Sequence, residues 1–220
     1  MPALIEVNYG ADHGKSAPHH LASKFLLVSR DRPHLHVLLL GTTKIMDIAS
    51  ISSQLSPSPK AFPDCCLDIS STLTAYLAGL LPSTPAFTIS VGCGSGLLEA
   101  LIAYRHPNTH IIGVEVALSV NRYLSEPDID VVSGTWDLYS RAAQATAWMF
   151  VYPREPKLVT KYLETYGHGS VQLIVWLGPR ADWADYEPCF RNSSFSVSLP
   201  DDDDVGLMGY EMLAIMRRHT

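Results

Sequence analysis

Seven short apolar runs constrain this chain more than any other feature of its sequence. Five of them, Phe87–Val91, His110–Val116, Ile129–Val132, Ala145–Tyr152 and Val171–Leu177, lack the polar alternation of a half-exposed strand. Runs of this length that stay apolar throughout are strands buried on both faces, the pattern of a parallel sheet. Helical spacing separates several of them. Leu97–Tyr104 reads as a helix, and Leu158, Val159, Tyr162 and Leu163 continue another behind Pro156, which suits a first turn, with Gly167 placed to end it. Alternation of this kind from about residue 65 to 180 predicts a parallel sheet covered by helices on both faces. The last forty residues differ. Phe195–Leu199 and Leu207–Met216 are joined only by Pro200 and four consecutive aspartates, too little chain for a helical crossover. They predict an antiparallel hairpin at the sheet edge, with the aspartates as its solvated loop. The expected fold is α/β, a three-layer sandwich with a mostly parallel seven-stranded sheet and an antiparallel C-terminal hairpin.

Residues 46–220 read as one domain, with a helical lead-in over 46–86 and the sheet core over 87–220. In the lead-in, Ile48, Ile51 and Leu55 recur at helical spacing before Ser56-Pro-Ser-Pro, and Leu67, Leu73, Tyr76, Leu77, Leu80 and Leu81 do so before Pro82. Residues 1–45 read as an extension of uncertain order. It holds His13, His19, His20, His34 and His36, with apolar patches at Phe25–Val28 and Val37–Leu40. No carboxylate or cysteine partners these histidines at ligand spacing, so no metal is expected.

Composition narrows the partners. Charged residues make up 17% of the chain, against roughly 25% in an ordinary soluble domain, as expected where buried strands dilute the charge. Sixteen Lys and Arg face 22 Asp and Glu, a formal charge of −6, which argues against phosphate-backbone binding and hence against a nucleic-acid partner. No stretch approaches the ~18–20 apolar residues of a membrane span. Cys65, Cys66, Cys93 and Cys189 form no C-x-x-C pair, so neither a disulfide framework nor a zinc site is indicated. The start lacks a charged region followed by an apolar one, which makes the cytoplasm the expected location and Asn192-Ser193-Ser194 an incidental triplet.

The chemistry concentrates in Thr88-Ile-Ser-Val-Gly92-Cys93-Gly94-Ser95-Gly96-Leu-Leu-Glu99, where three glycines follow a strand and open a helix. Glycines let the backbone turn sharply and approach a ligand, and the N–H groups of the helix start then face that ligand. The spacing is G-x-G-x-G, one residue tighter than the dinucleotide fingerprint, which disfavours a nicotinamide-dependent reductase. This segment resembles motif I of the class I S-adenosylmethionine-dependent methyltransferases, and the resemblance covers about residues 65–218. It implies that Ser90, Gly92, Cys93, Gly94 and Gly96 lie under the methionine part of S-adenosylmethionine. Glu115, nineteen residues after Gly96 and at a strand end, is placed to accept hydrogen bonds from the ribose hydroxyls. It also implies a last strand inserted antiparallel beside the fifth. The loop after the third strand would flank adenine through Gly134, Thr135 and Trp136. Trp136 reads as a purine-stacking residue or as a core aromatic, and Asp137 as an adenine contact or a helix cap.

The chain departs from that family at two places. Ser90 stands where the family often has an acid near the methionine amino group. The fourth strand ends in Phe150-Val151-Tyr152-Pro153-Arg154 rather than the Asp/Asn-Pro-Pro-aromatic cluster of amino methyltransferases. Tyr152 and Arg154 are the catalytic candidates, one to orient an acceptor and the other to hold an anion; the plain alternatives are a packed tyrosine and a surface arginine. Gly178–Tyr186 is a second candidate acceptor loop, or a helix start with Asp182 as cap and Trp183 on the sheet. The expected function is S-adenosylmethionine-dependent methyl transfer to a small molecule or a protein side chain. The alternative is a methyltransferase fold without methyl transfer, as a pseudoenzyme subunit or a cofactor-assisted cyclase or isomerase.

Overall fold

The computed structural model describes residues 47–191 and 193–219. The histidine-rich segment 1–45 and its apolar patches lie outside the described residues, as does Asn192 of the glycosylation-type triplet.

Seven strands form one sheet in the order β3-β2-β1-β4-β5-β7-β6. They are β1 (Thr88–Val91), β2 (Ile111–Glu115), β3 (Ile129–Val131), β4 (Ala147–Val151), β5 (Leu173–Pro179), β6 (Phe195–Ser198) and β7 (Glu211–Arg218). The first five pair parallel. β7 pairs antiparallel with both β5 and β6, so the hairpin contributes an interior strand as well as the edge. The predicted runs thus fall on all seven strands, displaced by a residue or two at several ends. β7 shifts most, starting at Glu211 instead of Leu207, and β5 continues through Gly178 and Pro179, which pair with Met212 and Glu211.

Burial on both faces is what made these strands continuous in the sequence. Along β4, Ala147 and Met149 join an apolar layer with α1 (Ile48–Ser53), α2 (Ser71–Leu80) and α3 (Leu97–Arg105). Trp148 and Phe150 join the opposite layer, where residues of α4 (Pro156–Tyr166) and α5 (Trp183–Arg191) pack. Local signals set the helix starts. The Asp47 side chain accepts from the N–H of Ser50, Ser70 Oγ accepts from the N–H of Leu73, and Pro156 occupies the first turn of α4.

Two expectations about connections are corrected. Strand and helix do not alternate throughout: β2 to β3 and β3 to β4 cross on short 3₁₀ turns (Leu118–Val120, Glu126–Asp128 and Ser140–Ala143) rather than α-helices. Ser119, Asn121, Ser125 and Pro127 interrupt the first of these connections, and such residues favour turns over helix interior. The aspartate run is not a plain loop either. Asp201 caps α6 (Asp202–Val205) by accepting from Asp203 N–H, Gly206 ends it at φ 75°, and Arg180 pairs with Asp202. Negative side chains in a first turn suit the positive end of a helix, and Val205 gives this short turn its buried anchor. No helix among the described residues is long and apolar enough to cross a membrane, and they contain no group of three or more potential metal-ligating side chains.

Candidate functional site

The carboxyl ends of β1 and β2 bring most of the sequence-predicted cofactor residues together. Val91 and Val114 are register partners, and the chain leaving β1 turns back through Gly92, Gly94 and Gly96 at φ 74°, 58° and 75°. A side chain at such angles costs roughly 1–2 kcal/mol, so glycine is the residue that makes this turn without strain. Gly92 N–H donates to Val114 C=O at 2.8 Å, and Gly96 N–H to Cys93 C=O at 3.0 Å. A Cβ on Gly92 or Gly94 would meet nothing within 4 Å, so open space lies over this half of the turn. Gly96 differs, because a Cβ there would lie 2.6 Å from Leu124 Cγ.

Glu115 is anchored to this turn. Its Oε1 accepts from Gly94 N–H at 2.7 Å and its Oε2 from Val116 N–H at 3.0 Å. Each oxygen thus takes one backbone donor and keeps capacity for another. The carboxylate is thereby fixed at the strand end while staying half-buried.

Sequence reasoning did not find the clasp beneath the turn. Asp64 accepts from Arg122 Nη1 at 2.6 Å and from Tyr123 Oη at 2.9 Å, while its C=O accepts from Ser95 Oγ at 2.6 Å. The N–H groups of Arg122 and Tyr123 donate to Ser95 C=O. The lead-in and the β2–β3 connection are therefore tied to opposite sides of one glycine-turn residue.

It also did not pair Ser90 with Glu99. Both side chains are buried, at 0% and 2% exposure, and Ser90 Oγ donates to Glu99 Oε1 at 2.5 Å. Glu99 Oε2 has no hydrogen-bond partner among the described residues. Two effects favour its charge, the Ser90 hydroxyl and a position in the first turn of α3, yet burial outweighs them and pushes the carboxyl up to about 7. Burial also raises the neighbouring thiols, Cys65 to about 12 and Cys93 further, so neither is a nucleophile at neutral pH.

The loop after β3 begins at Val132, whose N–H donates to Glu115 C=O at 2.9 Å. Gly134, Thr135 and Trp136 follow. The core-aromatic alternative for Trp136 does not hold, since its side chain is exposed, and Lys161 Nζ of α4 donates to its C=O at 2.6 Å. Asp137 caps no helix, because the 3₁₀ turn that follows starts beyond Tyr139.

The two candidate acceptor segments converge. Tyr152, Pro153, Arg154, Pro179, Asp182, Asp185 and Tyr186 line one open cleft of about 420 Å³ at the carboxyl ends of β4 and β5. Tyr152 sits at φ 49°, a conformation that costs a bulky residue on the order of 1–3 kcal/mol. Its hydroxyl donates to Glu211 Oε1 at 2.7 Å, and Asp68 N–H donates to the same oxygen at 3.1 Å. Burial and this bond to Glu211 raise the Tyr152 phenol far above its usual value, so its proton is held. Glu211, fully buried at the start of β7, was not singled out from the sequence. Asp182 closes a 3₁₀ turn, Arg180–Asp182, that runs into α5, while Trp183 packs against Trp176 of the sheet at 5.1 Å between ring centroids.

No family model matches the chain. Over 110 residues, 44% of its length, it is 29% identical to trans-aconitate 2-methyltransferase of Deinococcus radiodurans, and it spans about two fifths (41%) of that protein. Among solved structures, the methyltransferase domain of bacterial CtHen1 superposes with a TM-score of 0.50 at 16% identity, over 66% of this chain and 97% of that one. Precorrin-6y C5,15-methyltransferase from Geobacter metallireducens gives 0.53 at 9% identity, over 76% of this chain and 100% of that one. These likenesses and the strand order agree: the chain has the Rossmann-like fold of the class I methyltransferases. The resemblance read from the glycine turn therefore stands at the level of that class, and no individual protein is singled out within it.

Proposed function

We propose that this chain binds S-adenosylmethionine at the glycine turn and transfers its methyl group to an acceptor in the Tyr152–Tyr186 cleft. The observation that carries the reading is the pairing of open space over Gly92 and Gly94 with the Glu115 carboxylate held on Gly94 N–H. The fit is chemical as well as spatial. The free hydrogen-bonding capacity of Glu115 suits the ribose hydroxyls, and the first-turn N–H groups of α3 suit a carboxylate. Trp136, exposed after β3, is available to the purine.

When bound, the cofactor supplies an electrophilic methyl group on a sulfonium centre. This chain's residues contribute placement. The Asp64 clasp fixes the turn, Glu115 fixes the ribose, and the strained Tyr152 backbone directs the chain into the acceptor cleft. Tyr152 keeps its proton and Glu211 is already hydrogen-bonded, so neither is a ready base at neutral pH. An acceptor with an available lone pair suits such a site. Arg154 would hold an organic anion, and the relative named for trans-aconitate acts on one. Asp182 and Asp185 in the same cleft equally suit a polar acceptor carrying a positive group. A small molecule or a protein side chain is favoured over nucleic acid by the net charge of −6.

Calorimetry against S-adenosylmethionine, S-adenosylhomocysteine and NADPH tests the reading. Binding of both sulfur compounds and not of NADPH is expected; binding of neither sulfur compound refutes it. Labelled methyl transfer to a cell extract then separates a transferase from a fold that binds the cofactor without transferring it.

A further inference from the structure

Glu99 is a buried acid that the proposed chemistry does not use. Its Oε1 takes the Ser90 hydroxyl and its Oε2 takes no partner, although both oxygens sit at the start of the helix that opens the cofactor turn. The titratable groups that act on it are negative or neutral. Glu115 faces it from β2, the Cys93 thiol from the glycine turn, and the Cys65 thiol from the segment before α2. No basic side chain pairs with it among the described residues. A buried acid in such company is pushed toward its neutral form when free and gains most by ionising when a cation arrives nearby.

We propose that Glu99 is a proton-linked counter-charge for the cationic cofactor, mostly neutral in the free protein at mildly acidic pH and giving up its proton to solvent as S-adenosylmethionine binds. The inference rests on the cofactor reading above. It makes Glu99 a positioning residue that acts through the electrostatics of the turn and need not touch the ligand. It also replaces what Ser90 cannot supply, since a hydroxyl hydrogen-bonds but carries no charge. Burial holds the Glu99 carboxyl at about 7 in the free protein, so a bound cation shifts it through the neutral range. Sign follows directly: a cation binds the ionised form more tightly, so affinity rises as pH rises toward that value.

The test is calorimetry with S-adenosylmethionine at pH 6.5 in two buffers of different ionisation enthalpy, which counts protons released on binding. At this pH the cofactor's own amino group, with a usual value of about 7.7–8.0, stays protonated. The wild-type protein should release about half a proton, because about three quarters of Glu99 is protonated beforehand and a shift of about one unit leaves about a quarter protonated in the complex. Its affinity should rise about fourfold from pH 5.5 to 7, as expected for a shift of about one unit. Glu99→Gln should release no proton and show a flat profile over that range. Equal proton release by the two proteins overturns the proposal. If Glu99→Gln does not fold, a flat wild-type profile overturns it alone. Failure of the wild type to bind S-adenosylmethionine refutes the cofactor reading first, and is thereby distinguished from binding without proton release.

Discussion

Two acids on neighbouring elements, Glu99 three residues after Gly96 and Glu115 nineteen after it, do different work because their surroundings differ. Glu115 is half-buried with a backbone donor on each oxygen, whereas Glu99 is enclosed with one oxygen unpartnered. Glu115→Ala should weaken S-adenosylmethionine binding by about 1–3 kcal/mol, the worth of hydrogen bonds to a charged group, and calorimetry at pH 7.5 measures it. Unchanged affinity would remove the ribose assignment. Glu99 also has a stability signature. Its folded value, about 7, lies above the 4.5 of a free carboxyl. The native state therefore holds more protons between these values, and stability falls as pH rises from about 4.5 to 7 before levelling off. Thermal unfolding should show Glu99→Gln losing about 3 kcal/mol less than wild type between pH 4 and pH 8. Glu99 is the single charge in the apolar stretch Leu97–Ala103, as buried Glu211 is in Leu207–Met216, and that isolation is the sign in the sequence of a buried acid. Nothing in the spacing pairs it with Ser90, because that bond depends on how α3 packs on β1.

At the scale of elements, what the sequence reveals depends on how much apolar surface each element buries. The strands announce themselves through unbroken apolar runs, and α4 through its period and its first-turn proline. The 3₁₀ connections and α6 do not, since Leu118 and Val120 are exposed and α6 buries only Val205. Asp64, Arg122 and Tyr123 meet across 58 and 59 residues of sequence, a separation that no local pattern encodes. The connections invite two measurements. Gly96→Ala should destabilise the domain by about 1–3 kcal/mol, because φ is 75° and the new Cβ would press on Leu124. Denaturant unfolding checks it, and a neutral result would contradict both the backbone strain and the crowding against Leu124. Arg122→Ala should change global stability by less than about 1 kcal/mol, as an exposed ion pair does. Amide exchange over 117–125 should nonetheless quicken, since this bond anchors the connection to Asp64 of the lead-in.

For the whole molecule, the sheet divides into an interior that bears the fold and margins that do not. Leu213 on β7 is buried beside β5, while Val197 on β6 is exposed. Leu213→Ala should cost about 2–5 kcal/mol in chemical denaturation, and Val197→Ala should stay within about 0.5 kcal/mol. Equal effects would contradict the strand order. The sparse charge of the chain has its cause at this scale, because most strands are covered on both faces and leave little surface for charged residues. The position of β7 has a consequence for biogenesis. The last strand of the sheet to be synthesised fills the gap between β5 and β6, so β5 keeps an open hydrogen-bonding edge until Arg218 clears the ribosome. Nascent chains halted before that point would be open to edge-to-edge association, and holding β5 apart from other chains is a demand that synthesis itself places on this topology.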